Sequence, residues 1–338
     1  MRVALDLRVL EEPALAERGI GRYAAELAAA FAAEGAPLAE LRRLRRPWAP
    51  DRLAELWDHV LLARDAREAG ADVLHSPSID HATVRPRVPY VVTLHDLVPL
   101  KQPRRYLRTG LKHRLRYEAV RRATRVIVPS RAVEDDARRL LGLDEVDVVP
   151  EAPARAFRPI TAPRGLLARL RLPERFLLWV GGLDPLDPRK RIELLAERAA
   201  AGDCTPLVLV GRYDSDSASL EVPGRVLLTG RVSDEELAAL YSAADALVLP
   251  SDEEGFGLTP HEALACGTPV AAYAIPALVE TLGDNPAVRL VPQGDLDALL
   301  AAAEEIAGRD AVEPGSRTWA DVARETLAVY ERAAGSQR

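Results

Sequence analysis

Two carboxylates stand with seven residues between them in the segment Pro250-Ser251-Asp252-Glu253-Glu254-Gly255-Phe256-Gly257-Leu258-Thr259-Pro260-His261-Glu262-Ala263-Leu264-Ala265-Cys266-Gly267-Thr268-Pro269-Val270. Carboxylates form charge-assisted hydrogen bonds to hydroxyls, so Glu254 and Glu262 are suited to sugar or ribose oxygens. Glu254 precedes a Gly-x-Gly loop, and Pro260 is placed to start a helix, which puts Glu262 in the first turn beside the positive end. Loop amides and a helix N-terminus together suit an anion such as a diphosphate. Spacing alone leaves a second reading open, in which Glu262 is a solvated first-turn glutamate that only stabilises its helix.

Three further segments could do chemistry. Val180-Gly181-Gly182-Leu183-Asp184-Pro185-Leu186-Asp187-Pro188-Arg189-Lys190-Arg191 follows a strand and precedes a helix, as a phosphate-binding turn would. Lys190 is one of three lysines in an arginine-rich chain, the others being Lys101 and Lys112, and a cation there offsets charge on a departing diphosphate. Arg189 and Arg191 either share that task or are solvated. Arg18-Gly19-Ile20-Gly21-Arg22-Tyr23 follows the first strand, and glycine lets backbone approach a ligand closely, although such a turn is most often a plain connection. Thr93-Leu94-His95-Asp96-Leu97 places His95 and Asp96 at the carboxyl end of a buried strand; His59, His75, His81 and His113 have no such placement.

The elements that must position these residues alternate. Short β-rich runs occur at Val3–Leu7, Val73–His75, Tyr90–Leu94, Arg125–Val128 and Val146–Pro150, with helical patterns at Tyr23–Ala33, Arg105–Arg122 and Arg131–Leu141. Prolines at 150, 153, 159 and 163 mark an interdomain linker. The rhythm then restarts with strands at Phe176–Val180, Pro206–Val210, Val226–Leu228, Ala246–Leu249 and Pro269–Ala272, and helices at Ile192–Ala200, Asp234–Ala243, Pro260–Ala265 and Asp295–Ile306. A last helix runs from Trp319 to Ala333. This pattern is α/β, with a parallel sheet in each of two domains. Ligands of doubly wound sheets bind outside the carboxyl ends of the strands, so the site is expected between the domains.

Composition narrows the class. With 338 residues, 48% apolar and 28% charged, the chain matches a soluble globular protein of about two domains. Asp6, Arg8, Glu11 and Glu12 interrupt any signal-peptide core, and no apolar run reaches the roughly 20 residues of a membrane span. Cys204 and Cys266 lack metal-ligand spacing and read as small core hydrophobes of a cytoplasmic protein. Residues 1–155 carry 27 Lys and Arg against 23 Asp and Glu, and the remainder 18 against 28, so only the first half is basic. Lys101 to Arg125 holds ten basic residues and one acid, Glu118, with leucines and tyrosines interleaved. That is the pattern of a basic amphipathic surface for anionic lipid, of a solvated helix, or of a phosphate-acceptor groove; no recognition motif for nucleic acid accompanies it. Asp214-Ser215-Asp216 resembles a metal-binding Asp-x-Asp only superficially, and no metal is expected there.

The Glu254 to Val270 string, with Gly230-Arg231-Val232-Ser233-Asp234-Glu235-Glu236-Leu237 through Tyr241 and Ala244-Asp245 before it and Trp319 through Tyr330 after it, resembles the signature of retaining GT-B glycosyltransferases of family 4. Every fixed position of the two-glutamate pattern is present. The chain departs from the family at Gly182, where many members carry Arg, and at Arg191, where many carry Gly, which leaves open which guanidinium meets the diphosphate. The resemblance implies two doubly wound Rossmann-like domains facing across a cleft, an N-terminal acceptor domain (1–155) and a nucleotide-sugar donor domain (156–315), with a C-terminal helix (316–338) packing back on the first.

It also implies roles. Catalysis falls to His95, which lies against the donor sugar and offers a hydrogen bond or its backbone carbonyl, to Lys190 and to Glu254. Lys190, with Arg189, stabilises the leaving diphosphate; Glu254 holds donor-sugar hydroxyls, Glu262 ribose hydroxyls, and Val232 lies near the base. Gly19, Gly21, Gly182 and Arg231 join the donor site, as do Gly255, Phe256, Gly257 and Leu258. The expected activity is transfer of a hexose, mannose before glucose, from a nucleotide sugar to a hydroxyl of a glycan or lipid-linked acceptor, without cofactor or metal. The glycine-loop form favours GDP-mannose. The rival is a non-catalytic nucleotide-sugar-binding subunit. The expected place is the cytoplasm, with peripheral contact to anionic membrane through 101–125.

Overall fold

Short runs of Val, Leu and Ala become strands covered on both faces, as parallel sheets require. In a computed structural model that describes residues 1–42, 61–83, 86–106, 111–161, 164–184, 186–202, 204–307 and 317–336, the chain divides into two units. The first is Met1–Ala152 with Thr318–Arg338, and the second is Pro153–Arg317.

The first unit holds β1 (Val3–Asp6), β2 (Leu38–Leu41), β3 (Val73–Ser76), β4 (Tyr90–Thr93), β5 (Arg125–Val128) and β6 (Val146–Val148). They form one parallel sheet in the order β2-β1-β3-β4-β5-β6. Side chains alternate between its faces: Val3, Leu5, Val73, Val91 and Ile127 share one core with Trp319, Val322, Val329 and Tyr330. Ala4, Leu74, Val92, Val126 and Val128 face the other. The C-terminal helix, Trp319–Gly335, opens with a capping box between Thr318 and Asp321 and lies on the first of these faces beside Gly19–Ala33.

The second unit holds β7 (Leu177–Val180), β8 (Leu207–Val210), β9 (Val226–Gly230), β10 (Ala246–Leu249), β11 (Val270–Tyr273) and β12 (Val288–Val291). Their order is β12-β11-β10-β7-β8-β9, again all parallel. Strand order therefore reverses between β7 and β10, the doubly wound arrangement in which ligands sit at the carboxyl ends of the two strands that flank the switch.

Several boundaries differ from the sequence expectation. The helix expected from Tyr23 begins at Gly19, so the glycine pair is its first turn and not a loop before it. A Cβ on Gly21 would lie 2.3 Å from the Ala16 carbonyl oxygen, so this glycine admits the preceding Pro13–Ala16 turn. The helix expected from Pro260 begins at Leu258, capped by Gly257 in the left-handed region (φ 86°). Pro260 is its third residue, a position whose N–H has no intrahelical partner to lose. Pro103–Tyr106 and Leu111–Arg121 are helical within the basic segment, and residues 107–110 lie outside the described residues. Strands β2 and β12 and the helices at 61–68, Arg164–Arg169 and Pro276–Leu282 had no sequence expectation.

Candidate functional site

The loop after β7 and the loop after β10 meet at the switch point, and a chain of polar contacts joins them. Asp187 caps the short turn Pro188–Lys190, accepting from the Arg189 backbone N–H (3.2 Å) and its Nε (2.8 Å). The Arg189 Nη1 donates to the Glu253 carbonyl (3.1 Å), and the Asp252 N–H donates to the Arg189 carbonyl (2.8 Å). Arg191 pairs with Asp252. Between these contacts Lys190 Nζ donates to Glu254 Oε1 at 2.5 Å, with side chains only 20% and 12% exposed. Burial on its own would raise the Glu254 carboxyl, but the Lys190 and Arg189 charges hold it below the usual carboxylate range. Two residues 64 apart in sequence thus form a half-buried ion pair at the place where a doubly wound sheet binds its ligand.

Glu262 sits deeper. Because the helix starts at Leu258, Glu262 is its fifth residue and not in the first turn, which corrects the position expected from Pro260. It is 3% exposed, and the Tyr241 hydroxyl donates to its Oε2 at 3.1 Å. It is not a solvated glutamate. Gly257 is required by the turn that precedes it: besides its positive φ, an added Cβ would meet Leu278 Cδ2 at 2.5 Å. Phe256 stacks on His261 (4.3 Å between ring centroids, 15° between planes), and His261 Nδ1 lies 2.7 Å from the Gly257 carbonyl, stiffening the loop. Tyr241, His261, Asp187 and Asp252 had no sequence assignment to the site. Gly182 is exposed, with open space where a Cβ would point, so packing does not require glycine there. Arg231 and Val232 follow β9, two strands from β7, with Arg231 exposed.

In the first unit, Gly19 and Gly21 open the helix whose Tyr23 ring meets His95 edge-on at 4.8 Å. His95 follows β4 as expected, yet both ring nitrogens are engaged: Nδ1 with Glu151 Oε1 at 2.9 Å and Nε2 with the Pro77 carbonyl at 2.9 Å. Burial lowers its pKa, but the Glu151 hydrogen bond and charge, with help from the Pro77 carbonyl and Asp96, raise it above the ordinary histidine value. His75 is also fully buried, its Nδ1 2.6 Å from the Tyr330 hydroxyl and its Nε2 2.8 Å from Thr93 Oγ1, which in turn lies 3.1 Å from the Tyr23 hydroxyl. Burial and the neighbouring His95 charge push His75 down to about 3, so it is neutral. Glu151 and this hydroxyl chain were missed in the sequence; the one signal was a glutamate among the Pro and Ala residues that follow β6.

The basic segment is less free than its composition suggests. Lys101 pairs with Asp136, Arg116 with Asp80, Arg122 with Glu118, and Arg125 with Asp147 and Glu145, while Arg121 donates to the Leu141 carbonyl. Asp214 caps its own loop, accepting from the Asp216 and Ser217 backbone N–H groups and the Ser217 hydroxyl. Among the described residues no cluster of three or more His, Cys, Asp or Glu is arranged to hold a metal ion, and no helix is long and apolar enough to cross a membrane.

Two doubly wound sheets, with an acid-base pair of side chains at the switch point of the second, define a nucleotide-binding α/β protein of the GT-B architecture. Residues 18–152 match the family described as Glycosyltransferase Family 4, and residues 174–308 that described as Glycosyl transferases group 1. The chain belongs to this glycosyltransferase family. It is 33% identical over 282 residues to the 2-deoxystreptamine N-acetyl-D-glucosaminyltransferase of Streptomyces fradiae, covering 77% of this chain and 63% of that protein. Identity to the D-inositol 3-phosphate glycosyltransferase of Mycobacterium bovis is 30% over 329 residues, 85% of this chain and 67% of that one. The chain thus spans about two thirds of the length of these relatives. Among solved structures, sucrose-phosphate synthase from Thermosynechococcus elongatus shares the fold with a TM-score of 0.74 at 24% identity, over 100% of this chain and 97% of that one. Anabaena HepE in complex with UDP-glucose shares it at 0.67 and 17%, over 100% and 99%.

Proposed function

We propose that this protein is a retaining glycosyltransferase that moves a hexosyl group from a nucleotide sugar to an acceptor hydroxyl on a glycan or lipid-linked molecule. The observation that carries the reading is the Lys190–Glu254 pair at the β7/β10 switch point: a cation and a carboxylate side by side, one suited to a diphosphate and the other to sugar hydroxyls. Lys190, with Arg189 beside it, neutralises charge on the departing diphosphate, which is the work a metal would otherwise do, so the reaction needs none. Glu254 orients the donor sugar, and Glu262, held by Tyr241, takes the ribose.

No protein nucleophile is needed. The acceptor oxygen forms its bond to the anomeric carbon on the face from which the diphosphate leaves, the bond from that carbon to the phosphate oxygen breaks, and the acceptor proton passes to the freed oxygen. The glycine-loop form favours GDP-mannose, with glucose next; a uridine donor is the second reading, favoured by the UDP-glucose of HepE. The protein works in the cytoplasm. Contact with anionic membrane through 101–125 rests on the basic side chains left unpaired, and co-sedimentation with anionic vesicles that falls as salt rises supports it.

Calorimetry with GDP, UDP, ADP and their common sugars, without metal and then with magnesium, tests the reading. Metal-independent binding of one nucleotide with turnover of its sugar is expected. Binding without turnover identifies a non-catalytic subunit, and no binding at all refutes the donor site.

A further inference from the structure

Glu151 is 4% exposed, and its one recorded partner is the ring of His95. A carboxylate buried this far is unfavourable unless a cation compensates it, and neither Lys nor Arg bonds to it here. The Pro77 carbonyl can only accept, so His95 Nε2 must carry a proton. Nδ1 then faces the Glu151 carboxylate, and the bond between them needs a second proton. The ring is therefore held on three sides: Glu151 from the segment after β6, Pro77 from the segment after β3, and Tyr23 edge-on from the helix Gly19–Ala33.

We infer that Glu151 is a positioning residue for transfer, holding His95 as an imidazolium in one orientation, and that the enzyme works only in that protonated state. The inference rests on the proposed reading that His95 serves the transfer reaction. With both ring N–H groups bound inside the unit, His95 acts through its fixed positive charge and its backbone carbonyl, not by giving a ring proton to substrate. The other groups around it favour the same state or are neutral. Asp96 adds negative charge beside it, Tyr23 is a buried phenol kept un-ionised, and His75 on β3 carries no proton to compete with it. Neutralising Glu151 leaves burial as the dominant influence, and burial disfavours the imidazolium.

The test joins two measurements on the full-length chain. The first is the His95 imidazole titration by nitrogen-15 NMR, which needs no turnover. The second is the pH profile of kcat/KM with the nucleotide sugar that binds most tightly. In the wild type the ring stays protonated above the usual histidine range, and kcat/KM falls on the alkaline side at that same pH. Glu151→Gln is expected to move both by at least one pH unit to lower pH, and so to reduce transfer at least tenfold at pH 8, while the Kd for the nucleoside diphosphate stays within twofold. Glu151→Asp restores part of the shift. If Glu151→Gln loses stability, Glu151→Asp and the wild-type NMR titration decide. A wild-type enzyme that transfers with a neutral His95, or a Glu151→Gln profile lowered equally at every pH, overturns the inference and leaves the transferase reading standing. A chain with a protonated His95 that transfers from no nucleotide sugar overturns the reading and this inference together.

Discussion

Lys190 cannot hold a diphosphate and Glu254 at full strength at once, so Glu254→Gln should bind a nucleoside diphosphate more tightly than the wild type. Two unit charges about 4 Å apart attract by about 4 kcal/mol at an effective dielectric of about 20, and desolvation of both groups offsets most of it. With Lys190 and Glu254 at 2.5 Å and largely buried, a net value of about 1.4 kcal/mol is reasonable, intermediate between surface and buried pairs. Releasing Lys190 then strengthens UDP or GDP binding about tenfold. Lys190→Met should act in the opposite direction, losing a charge-assisted contact of about 1.5–3 kcal/mol and weakening binding about 10- to 100-fold. The assay is calorimetry at pH 7, where Glu254 is ionised because its pKa is held low. The nucleoside diphosphate must be used without its sugar, so that no contact from Glu254 to the sugar enters the result. With the intact donor, Glu254→Gln loses transfer. If Glu254→Gln binds the diphosphate no better than the wild type, or Lys190→Met binds it equally well, Lys190 is not the phosphate ligand.

Acid should loosen the first unit through His75. Its pKa is lowered from the ordinary 6.5 to about 3, so its contribution is complete above pH 6.5 and is lost as pH falls towards 3. At pH 4.5 the loss is about 2.7 kcal/mol, read as faster hydrogen exchange in β3 and β4; unchanged protection refutes the buried neutral state. His95 has the opposite sign: its raised pKa contributes below pH 6.5, and the contribution is lost as pH rises through the raised value. Gly182→Ala and Gly257→Ala should separate cleanly. The first changes stability by less than about 0.5 kcal/mol because its Cβ meets nothing. The second costs at least about 1–2 kcal/mol from its left-handed backbone alone, with the Leu278 clash added, measured by urea denaturation. Tyr241→Phe should cost about 1.5–3 kcal/mol, since a buried carboxylate loses a donor, and should weaken nucleotide binding; unaltered stability would show that Glu262 is satisfied without it.

Much of this protein is written in local pattern. Buried parallel strands need apolar residues on both faces, so β1, β3, β4, β8, β10 and β11 are legible as short runs of Val, Leu and Ala. The two-glutamate string and the Lys190 turn are legible as chemistry because charged residues beside glycine loops at strand ends are few. The edges are less legible: Leu38-Ala39-Glu40-Leu41 and Val288-Arg289-Leu290-Val291 are half exposed and carry a charge in mid-strand, so no apolar run marks them. Local signals also misplace two helix starts. Glycine reads as a loop at 19–21, yet Gly21 is helical and lets Ala16 pack against it; proline reads as a first residue at 260, yet Gly257 caps the helix earlier.

What no local pattern contains is which strand ends become neighbours. β10 lies beside β7 although two strands intervene in the chain, and that crossover alone brings Glu254 to Lys190. In the same way, Glu151 reaches His95 across 56 residues only because the segments after β4 and β6 end on the same side of one sheet. The burial that makes each pair strong belongs to the assembled sheet and not to either segment. The sequence by itself determined the residues available for chemistry, and strand order and burial decided which of them meet and in what protonation state.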